Sequence, residues 1–305
     1  MSNQPLWGID LGGTKIEGVI LKSAEDPRVI LRKRIPTEQP KGYEHIITQI
    51  KKLLNLMAEE SGLQPERIGI GTPGTVDPLS GTHKNSNTTC LNGKQFYADL
   101  KYALQLPLVM ANDANCFALA EARLGVVKDE MPEAKVVFGV ILGTGVGGGV
   151  VINGQVLQGR QGIGGEWGHN FLDESGGVAY TGRKGVVETI LCGPALQRFY
   201  TSLTNQEITL KEIYQRHQAG NDKAATQTIE RLTHFFGLAI SVVINILDPD
   251  AIVLGGGVGN IDELYTDGVK SAEKFVFNSR LDTRFFRPKL GDSAGVFGAA
   301  MLVAR

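Results

Sequence analysis

Apolar residues open the chain in a pattern of strand, glycine turn and strand. Residues 6–21 read LWGIDLGGTKIEGVIL, in which two short apolar runs flank a glycine turn. The pattern returns at residues 136–157, VVFGVILGTGVGGGVVINGQVL. Short apolar runs bounded by glycine are typical of buried strands. We therefore predict two β-hairpins of the same design and a duplicated domain.

Helical periodicity fills the segments between the predicted strands. Apolar residues recur at helical spacing over residues 43–61, which predicts an amphipathic helix. Further helices are predicted over residues 96–104, 115–124, 187–200, 210–219 and 222–247, and from residue 295 onward. Additional strands are predicted at IGIGTPG, LPLVMAND and AIVLGGG. Strands that alternate with helices indicate an α/β protein, and the opening hairpins distinguish it from a purely doubly wound Rossmann sheet.

Composition and charge argue against nucleic acid binding and against a cysteine-based framework or metal site. The 305 residues include 31 Lys and Arg against 32 Asp and Glu, a net charge of -1. Because no basic block is visible, we do not expect a nucleic acid partner. The three cysteines are too few and too scattered for a disulfide framework or a CxxC metal site.

The sequence pattern does not suggest export or membrane insertion. The first ten residues, MSNQPLWGID, lack the charged and apolar regions of a signal peptide. The longest apolar stretch, residues 235–247, is interrupted by Ser241 and Asn245 and is too short to span a bilayer. We expect a soluble cytoplasmic protein.

Glycine is abundant, and the 39 glycines are clustered. Three clusters follow predicted strands, at residues 10–15 (DLGGTK), 143–149 (GTGVGGG) and 255–259 (GGGVG). Backbone N–H groups of such turns form a concavity that binds anions, and glycine lets a phosphate approach closely. One cluster alone is more often a plain hairpin turn. Three clusters, two of them on matching hairpins, favour phosphate binding.

Two familiar nucleotide motifs do not fit these clusters. Residues 8–15 resemble a Walker A loop, but Thr14 precedes Lys15, which reverses the order that this loop requires. Gly143, Gly145 and Gly148 have the spacing of a dinucleotide fingerprint. That fingerprint needs a helix next, whereas a strand is predicted here. The sequence therefore argues against a dehydrogenase.

Asp10 and Asp113 each lie at the end of a predicted strand. Asp10 directly precedes the first glycine turn, where a carboxylate can orient Mg²⁺ through water or cap the turn. Asp113 follows LPLVM, at the strand end where α/β proteins place ligands. There it can accept the proton of a sugar hydroxyl that attacks the γ-phosphate of ATP. Capping of the next helix by Asn112 or Asp113 explains the position equally well.

A second polar group follows in the run GEWGH. Glu166 and His169 lie three residues apart between glycines, and Glu188 follows further along the chain. Glu, Asn and His supply the donors and acceptors that sugar hydroxyls need. A lone histidine is more often structural, but the flanking glycines remove packing partners and favour ligand binding.

Seven motifs occur in the order found in one family. They are DLGGTK, GTPG, ANDANC, ILGTGVGGG, GEWGH, ILDPDAIVLGGG and GDSAGVFGAA. The chain resembles the ROK family (repressors, open reading frames, kinases) over essentially its whole length, and within it the bacterial fructokinase and mannokinase branch. The resemblance implies an actin-like, hexokinase-type fold that duplicates a ribonuclease H-like unit, with sugar and ATP in a cleft. We expect a small lobe at residues 1–115, with a C-terminal helix at 292–305 packed back on it, and a large lobe at 116–291.

The resemblance also implies roles for individual residues. It makes Asp113 the catalytic base of a hexose kinase that uses ATP and Mg²⁺. The family's sugar-binding positions are matched by Gly74, Asn87, Asn112, Asp113, Glu166, His169 and Glu188. Its nucleotide-binding region is matched by Asp10, Gly12, Gly13, Thr14, Lys15, Gly143, Thr144, Gly145, Gly256 and Gly257. A homodimer is also implied.

The chain departs from the family at its zinc site. The family places three cysteines after GEWGH, and they bind a structural zinc together with the histidine. Here the matching positions are Ala179, Thr181 and Val186, so only His169 remains. One histidine cannot hold tetrahedral zinc. We expect the loop to keep its path without a structural zinc.

The resemblance is compatible with three functions: a hexose kinase, a sugar-responsive repressor and a non-catalytic sugar-binding protein. Sugar-responsive repressors of the family carry a helix-turn-helix domain ahead of DLGGTK, whereas nine residues precede Asp10 here, so we expect a kinase. A non-catalytic sugar-binding protein is disfavoured because Asp113 and the glycine turns are retained.

Fructose, phosphorylated at its 6-hydroxyl, is the preferred substrate because NSNTTCLNG and GEWGHN resemble the fructokinase branch. Glucose, mannose, N-acetylglucosamine and N-acetylmannosamine are the alternatives.

Overall fold

The computed structural model describes residues 4–304, with the side chain of Asp292 excepted. The chain divides into two compact units. The first comprises the chain up to Pro132, Gly149–Gly165 and the segment from Lys289 onward, and the second comprises Glu133–Gly148 and Glu166–Pro288. The lobe boundaries expected at residues 115 and 291 stay a prediction.

The N-terminal part of the chain builds the first sheet. In chain order its elements are β1 (Leu6–Leu11), β2 (Lys15–Leu21), β3 (Val29–Pro36), α1 (Tyr43–Ser61), β4 (Ile68–Thr72), β5 (Thr75–Val76), β6 (His83–Lys84), α2 (Phe96–Leu104), β7 (Leu108–Asn112), α3 (Asp113–Arg123) and α4 (Val126–Glu130). The strand order is β3-β2-β1-β4-β7. β1, β2 and β3 are antiparallel neighbours, whereas β4 runs parallel to both β1 and β7. The carboxyl ends of β1, β4 and β7 therefore share one edge of the sheet.

The second part of the chain repeats this plan. Its elements are β8 (Val136–Leu142), β9 (Val146–Ile152), β10 (Gln155–Val156), α5 (Glu188–Leu191), α6 (Gly193–Thr204), α7 (Leu210–Gln218), α8 (Lys223–Leu247), β11 (Ala251–Gly255), α9 (Asp267–Glu273), β12 (Arg284–Phe286) and α10 (Ala294–Met301). The strand order is β10-β9-β8-β11-β12, with β11 parallel to β8 and β12. The predicted α/β class and the repeated hairpin pattern are confirmed.

The apolar residues that recur at helical spacing in α1 form the face that packs against the first sheet. Ile46, Ile50, Leu53 and Met57 are fully buried on the face that α1 turns toward β2 and β3. Burial of each such side chain contributes about 1.5–3 kcal/mol of transfer free energy. The helix ends at Gly62, whose left-handed conformation (φ 69°) caps it at little steric cost.

The last helix, α10, packs against β1, β4 and α3 of the first unit. The approach requires glycine, because a Cβ at Gly69 would overlap the carbonyl oxygen of Ala299 and one at Gly298 would overlap that of Cys116. The end of the chain is thereby held beside its beginning.

The predicted helix over residues 187–200 is wrong as a single element. Cys192 is extended (φ -73°, ψ 157°) and separates α5 from α6. Pro194 at the start of α6 has no N–H for a continuous helix, and the Gly193 N–H donates to the carbonyl oxygen of Gly143 at 2.9 Å instead. The short helix α4 was not predicted.

Helix α8 is longer than the apolar stretch identified in the sequence. By length and composition it is able to cross a membrane, and 56% of its apolar window is buried inside the structure. It packs against α6, α7 and α9 of the second unit. This burial is typical of the core helix of a soluble protein.

Candidate active site

Two carboxylates lie together in the first unit. Asp10 is near the end of β1 and Asp113 is the first residue of α3, directly after β7. They are close enough that the charge of Asp113 raises the pKa of Asp10. The shared strand edge therefore brings these two predicted site residues together.

The surroundings of Asp10 oppose its ionisation. Burial first, then repulsion by Asp113 and by Glu17, raises the pKa of Asp10 to about 7, and Lys15 acts in the opposite direction. The carboxylate lies against Gly295 of α10, where a Cβ would stand 2.9 Å from its Oδ2. Opposed carboxylates in such a place favour a bound divalent cation.

The donor set fits Mg²⁺ held largely by water and phosphate. Mg²⁺ usually takes one or two protein carboxylates and completes its shell with water and substrate oxygens. Asp10 supplies one such carboxylate. Within residues 4–304, no group of three or more His, Cys, Asp or Glu side chains is placed to hold a metal ion.

Asn112 caps helix α3. Its Oδ1 accepts from the Asn115 N–H at 2.8 Å, while Asp113 Oδ1 accepts from the Ala114 N–H at 2.8 Å. The capping role proposed for this pair therefore belongs to Asn112. The Asp113 carboxylate also interacts with its own backbone N–H.

Asp113 is packed against protein on one side and exposed to solvent on the other. The surrounding protein raises the pKa of Asp113, and the bond from Ala114 works against this shift. The residue nevertheless remains exposed to solvent, so water moderates the increase. A carboxylate of raised pKa that a ligand can reach is suited to accepting a proton.

The first glycine turn joins β1 to β2. The Gly12 N–H donates to the carbonyl oxygen of Lys15 at 2.9 Å, which closes the turn, and Gly13, Thr14 and Lys15 are exposed. Thr37 braces the turn from the buried side: its Oγ1 donates to the Gly12 carbonyl at 2.6 Å and its N–H donates to the Thr14 carbonyl at 3.0 Å. Sequence reasoning missed Thr37.

Beneath Gly13 lies a second overlooked threonine. A Cβ at Gly13 would stand 4.0 Å from Thr88 Oγ1, which is fully buried and has no hydrogen-bond partner in the described part of the chain. Its neighbour Asn87, a predicted sugar ligand, is exposed. The structure thus places Asn87 beside the segment that supports the glycine turn.

Gly74 lies in the turn between β4 and β5 and is held from behind. Its φ of 76° is left-handed, and a Cβ there would overlap the Lys84 carbonyl oxygen, so only glycine fits. The preceding carbonyl, of Pro73, is 2.8 Å from Nε2 of the buried His83. Burial lowers the pKa of His83, which favours a neutral ring that donates through Nε2. His83 is a third residue that sequence reasoning missed.

In the second unit, the turn between β8 and β9 is bonded to Glu188. The Gly143 N–H donates to the Gly145 carbonyl at 2.9 Å, and Thr144 at the tip is exposed. Glu188 Oε2 accepts from the Val146 N–H at 3.0 Å, and a Cβ at Gly145 would stand 2.6 Å from that oxygen. A predicted sugar residue and a predicted phosphate turn are therefore in direct contact.

The loop after β11 lies against the same turn. A Cβ at Gly256 would overlap the backbone of Leu142, whereas Gly257 faces open space. The Tyr265 hydroxyl lies 2.8 Å from the Gly259 carbonyl oxygen and 3.2 Å from that of Leu254, so it braces both ends of this loop. Burial raises the pKa of Tyr265 to about 12, which keeps the hydroxyl protonated as a donor. The sequence carried no signal for Tyr265.

Glu166 directly precedes a short 3₁₀ helix, Trp167–His169, of which His169 is the last residue. Trp167 is buried and its indole N–H donates to the Gly147 carbonyl oxygen at 3.0 Å, which anchors the helix to β9. Glu166 Oε2 and His169 Nε2 are 3.9 Å apart. These two predicted sugar ligands are brought together.

The loop of the family's zinc site is closed here by backbone bonds. The Ala179 N–H donates to the Arg183 carbonyl at 2.8 Å, and residues 178 and 184 form an isolated β-bridge. Tyr180 meets the His169 ring edge-on at a centroid distance of 5.7 Å. Ala179 and Val186 are buried apolar side chains and Thr181 lacks a ligating sulfur, so these residues do not fit a structural zinc.

Comparison with known proteins identifies the family. The model of the ROK family matches residues 6–305. The chain belongs to the ROK family. The motifs that pointed to ROK proteins therefore led to the correct family.

Among the proteins to which this chain is similar in sequence are named sugar kinases. The chain is 33% identical to an N-acetyl-D-glucosamine kinase of Pasteurella multocida, over 97% of this chain and 98% of that protein. An N-acetyl-D-glucosamine kinase of Vibrio parahaemolyticus is 32% identical over the same shares of the two chains. The preference for fructose finds no support in these relatives.

Solved structures agree with the predicted actin-like, hexokinase-type fold. A ROK hexokinase from Thermus thermophilus matches with a TM-score of 0.85 at 30% identity, covering 98% of this chain and 97% of that one. A ROK glucokinase from Streptomyces griseus, crystallised with glucose and AMPPNP, matches with a TM-score of 0.76 at 27% identity, covering 98% and 99%. The fold class is confirmed.

Proposed function

We propose that this protein, an ATP-dependent sugar kinase, transfers the γ-phosphate of ATP to a hydroxyl of a hexose with Asp113 as the base. One observation carries the proposal. Asp113 is a solvent-open carboxylate of raised pKa beside Asp10, in a ROK chain whose neighbouring Asn112 already caps the helix. Because Asp113 is exposed, its carboxylate is accessible to a substrate hydroxyl.

The reaction follows from these groups. A lone pair of the sugar oxygen forms a bond to the γ-phosphorus, the bond from that phosphorus to the bridging oxygen breaks, and ADP leaves with the electron pair. The hydroxyl proton passes to the carboxylate of Asp113. Since the Asp113 pKa is raised, the carboxylate accepts this proton more readily than an ordinary aspartate.

The glycine turns are proposed to hold the nucleotide. Backbone N–H groups of the turns at Gly12–Thr14 and Gly143–Gly145 bind phosphate oxygens, and Gly256 and Gly257 contact the nucleotide. Lys15 adds a positive charge beside the first turn. Asp10 is the residue that would hold Mg²⁺, and the ion would neutralise charge on the phosphates.

The sugar is proposed to bind through polar groups. These groups are Gly74, Asn87, Asn112, Glu166, His169 and Glu188. One Glu188 oxygen is engaged by the Val146 N–H, so Glu188 offers its other oxygen to the sugar. Such hydrogen bonds discriminate strongly against a sugar that lacks the matching hydroxyl.

N-acetyl-D-glucosamine is the first candidate acceptor. The support is the chemistry named for relatives that match this chain along nearly its whole length. D-Fructose is the second candidate, because the run NSNTTCLNG resembles the fructokinase branch. Both candidates share the proposed chemistry at a sugar hydroxyl.

A coupled assay of ADP release over a hexose panel tests the function. The panel contains N-acetylglucosamine, fructose, glucose, mannose and N-acetylmannosamine, each with and without Mg²⁺. We expect Mg²⁺-dependent turnover with at least one of them and the highest kcat/KM with N-acetylglucosamine. Fructose as the best substrate would replace the first candidate by the second, and no turnover with any hexose would refute the proposal. Light scattering on the same sample measures the molar mass and so tests the expected homodimer.

A further inference from the structure

A single buried threonine determines the orientation of the first glycine turn. Thr37 lies directly after β3 and is 0% exposed. Its side chain and its backbone hold two carbonyl groups of the turn, those of Gly12 and Thr14. The side-chain bond is short, at 2.6 Å from Thr37 Oγ1 to the Gly12 oxygen.

These bonds dictate where the N–H groups of the turn point. In a planar trans peptide, the carbonyl and the following N–H point in opposite directions. Because the Gly12 carbonyl points toward Thr37, the Gly13 N–H points away from it. The Thr14 carbonyl orients the Lys15 N–H in the same way. Gly13 is exposed, so a ligand can reach the turn at this residue.

We propose that Thr37 is a positioning residue for ATP: its hydroxyl holds the Gly12–Gly13 peptide so that the Gly13 N–H faces a phosphate oxygen. The inference rests on the proposed function, in which this turn binds the phosphates of ATP. A donor oriented in advance loses no free energy to reorientation when the phosphate arrives.

The need for such a brace follows from the glycines themselves. Glycine populates both signs of φ with similar ease, so a turn of adjacent glycines has several accessible orientations of its central peptide. A ligand that needs one orientation binds more weakly when a smaller fraction of the turns adopts it. The Thr37 hydroxyl raises that fraction before ATP binds.

A matched pair of substitutions separates the hydroxyl from the rest of the side chain. Thr37→Val keeps the shape and the backbone bond to Thr14 but removes the donor to Gly12. Thr37→Ser keeps the donor. We expect Thr37→Val to raise the Kd for ATP about tenfold, the size expected for loss of a buried hydrogen bond, and Thr37→Ser to stay within about threefold of the wild type.

The measurement is calorimetric titration with ATP, with KM values from the kinase assay beside it. In Thr37→Val the KM for ATP should rise with its Kd, while the KM for the sugar stays within about twofold, since only the phosphate turn is altered. Thr228→Val is the control, because Thr228 is a fully buried threonine of α8 whose hydroxyl also donates to a backbone carbonyl, that of Ala224, at 2.8 Å. It should leave the Kd for ATP unchanged.

The possible results separate this inference from the proposed function. An unchanged Kd for ATP in folded Thr37→Val overturns the inference, as does an equal loss of ATP and sugar binding in both Thr37→Val and Thr37→Ser. If the wild type binds ATP but phosphorylates no hexose, the proposed function fails while the ATP titrations still decide the role of Thr37. If Thr37→Val does not fold, Thr37→Ala replaces it, because alanine removes the hydroxyl without adding a methyl group.

Discussion

At the scale of single residues, chemically similar side chains that lie close together make different contacts. Asn112 caps helix α3, whereas the neighbouring Asp113 remains exposed to solvent. Asp10 lies between Asp113 and Glu17, and Glu17 is itself buried and ion-paired with Arg32 and with Arg34, the latter at 2.8 Å. Three carboxylates close together thus have different surroundings and different partners.

Replacement of the proposed base should abolish turnover while binding survives. Asn at position 113 retains an oxygen that can accept from the Ala114 N–H, so α3 keeps its first turn. It cannot take a proton from the sugar. We expect Asp113→Asn to lower kcat about 10²–10⁴-fold, with sugar binding measured by calorimetry within a fewfold of the wild type. A variant with near-normal kcat would exclude Asp113 as the base.

The raised pKa of Asp10 predicts how stability depends on pH. The folded pKa of about 7 lies above the unfolded value of 3.8, so between these values the folded protein holds a proton that the unfolded chain has lost. Stability from this group is therefore present below pH 4 and is lost as the pH rises toward 7. Asp10→Asn removes the loss, and we expect its Tm relative to the wild type to rise by about 3 °C or more between pH 4.5 and pH 8.

Differential scanning fluorimetry without nucleotide and divalent metal checks this prediction. Asp282→Asn is the matched control, since Asp282 is an exposed loop residue, and its Tm difference from the wild type should not change with pH. A Tm difference for Asp10→Asn that is constant over the range would contradict the burial and repulsion described for Asp10.

At the scale of elements, the loop that carries zinc in the family is held by other contacts. Backbone bonds close the hairpin around Ala179 and Arg183, and Tyr180 packs edge-on against His169. Ser175 accepts a hydrogen bond at 2.7 Å from Arg231 of α8, which ties the start of the loop to that helix. Main-chain and aromatic contacts therefore hold the loop in which the family has its zinc-binding cysteines.

The protein should therefore work without zinc. We expect elemental analysis to find less than about 0.1 zinc per chain, because one histidine cannot form a tetrahedral site. Activity should survive chelation once Mg²⁺ is restored. The triple variant Ala179→Cys, Thr181→Cys, Val186→Cys is the positive control and should bind one zinc with His169. One zinc per chain in the wild type would contradict this assignment.

At the scale of the whole molecule, one plan is used twice and the chain end returns to its start. Each five-stranded sheet has three strands on one side of the order and two parallel strands on the other. Helix α10, formed by the last part of the chain, packs on β1 and β4, the first sheet's central strands. Its close approach depends on Gly69 and Gly298, where a side chain would overlap backbone atoms.

This return of the chain can be tested with one methyl group. A Cβ at Gly298 would overlap the carbonyl oxygen of Cys116, and backbone cannot yield as a flexible side chain does. We expect Gly298→Ala to lower the free energy of unfolding by about 3 kcal/mol, although alanine is the better helix former. Gly177→Ala, where a Cβ meets nothing within 4 Å, should change it by less than about 0.5 kcal/mol. Equal urea midpoints for both variants would contradict the tight packing of α10.

Local patterns in the sequence determined much of the architecture of this protein. The two hairpins, the helix Tyr43–Ser61 and the strand-to-helix junction at Asp113 were predicted because hydrophobic period and glycine turns act between near neighbours in sequence. The order of motifs determined the family, the fold class and the kinase activity. The site roles and the sugar remain proposals that rest on the same motifs.

Only tertiary structure decided the rest, and the reason is sequence distance. The Gly193 N–H donates to the carbonyl of Gly143, the Thr37 hydroxyl donates to that of Gly12, and the pKa of Asp10 depends on Asp113. Each effect needs two atoms that folding brings within a few ångström, from residues that no local pattern relates. Hydrogen bonds and Coulomb forces depend on distance in space, so these features became visible only once the chain had folded.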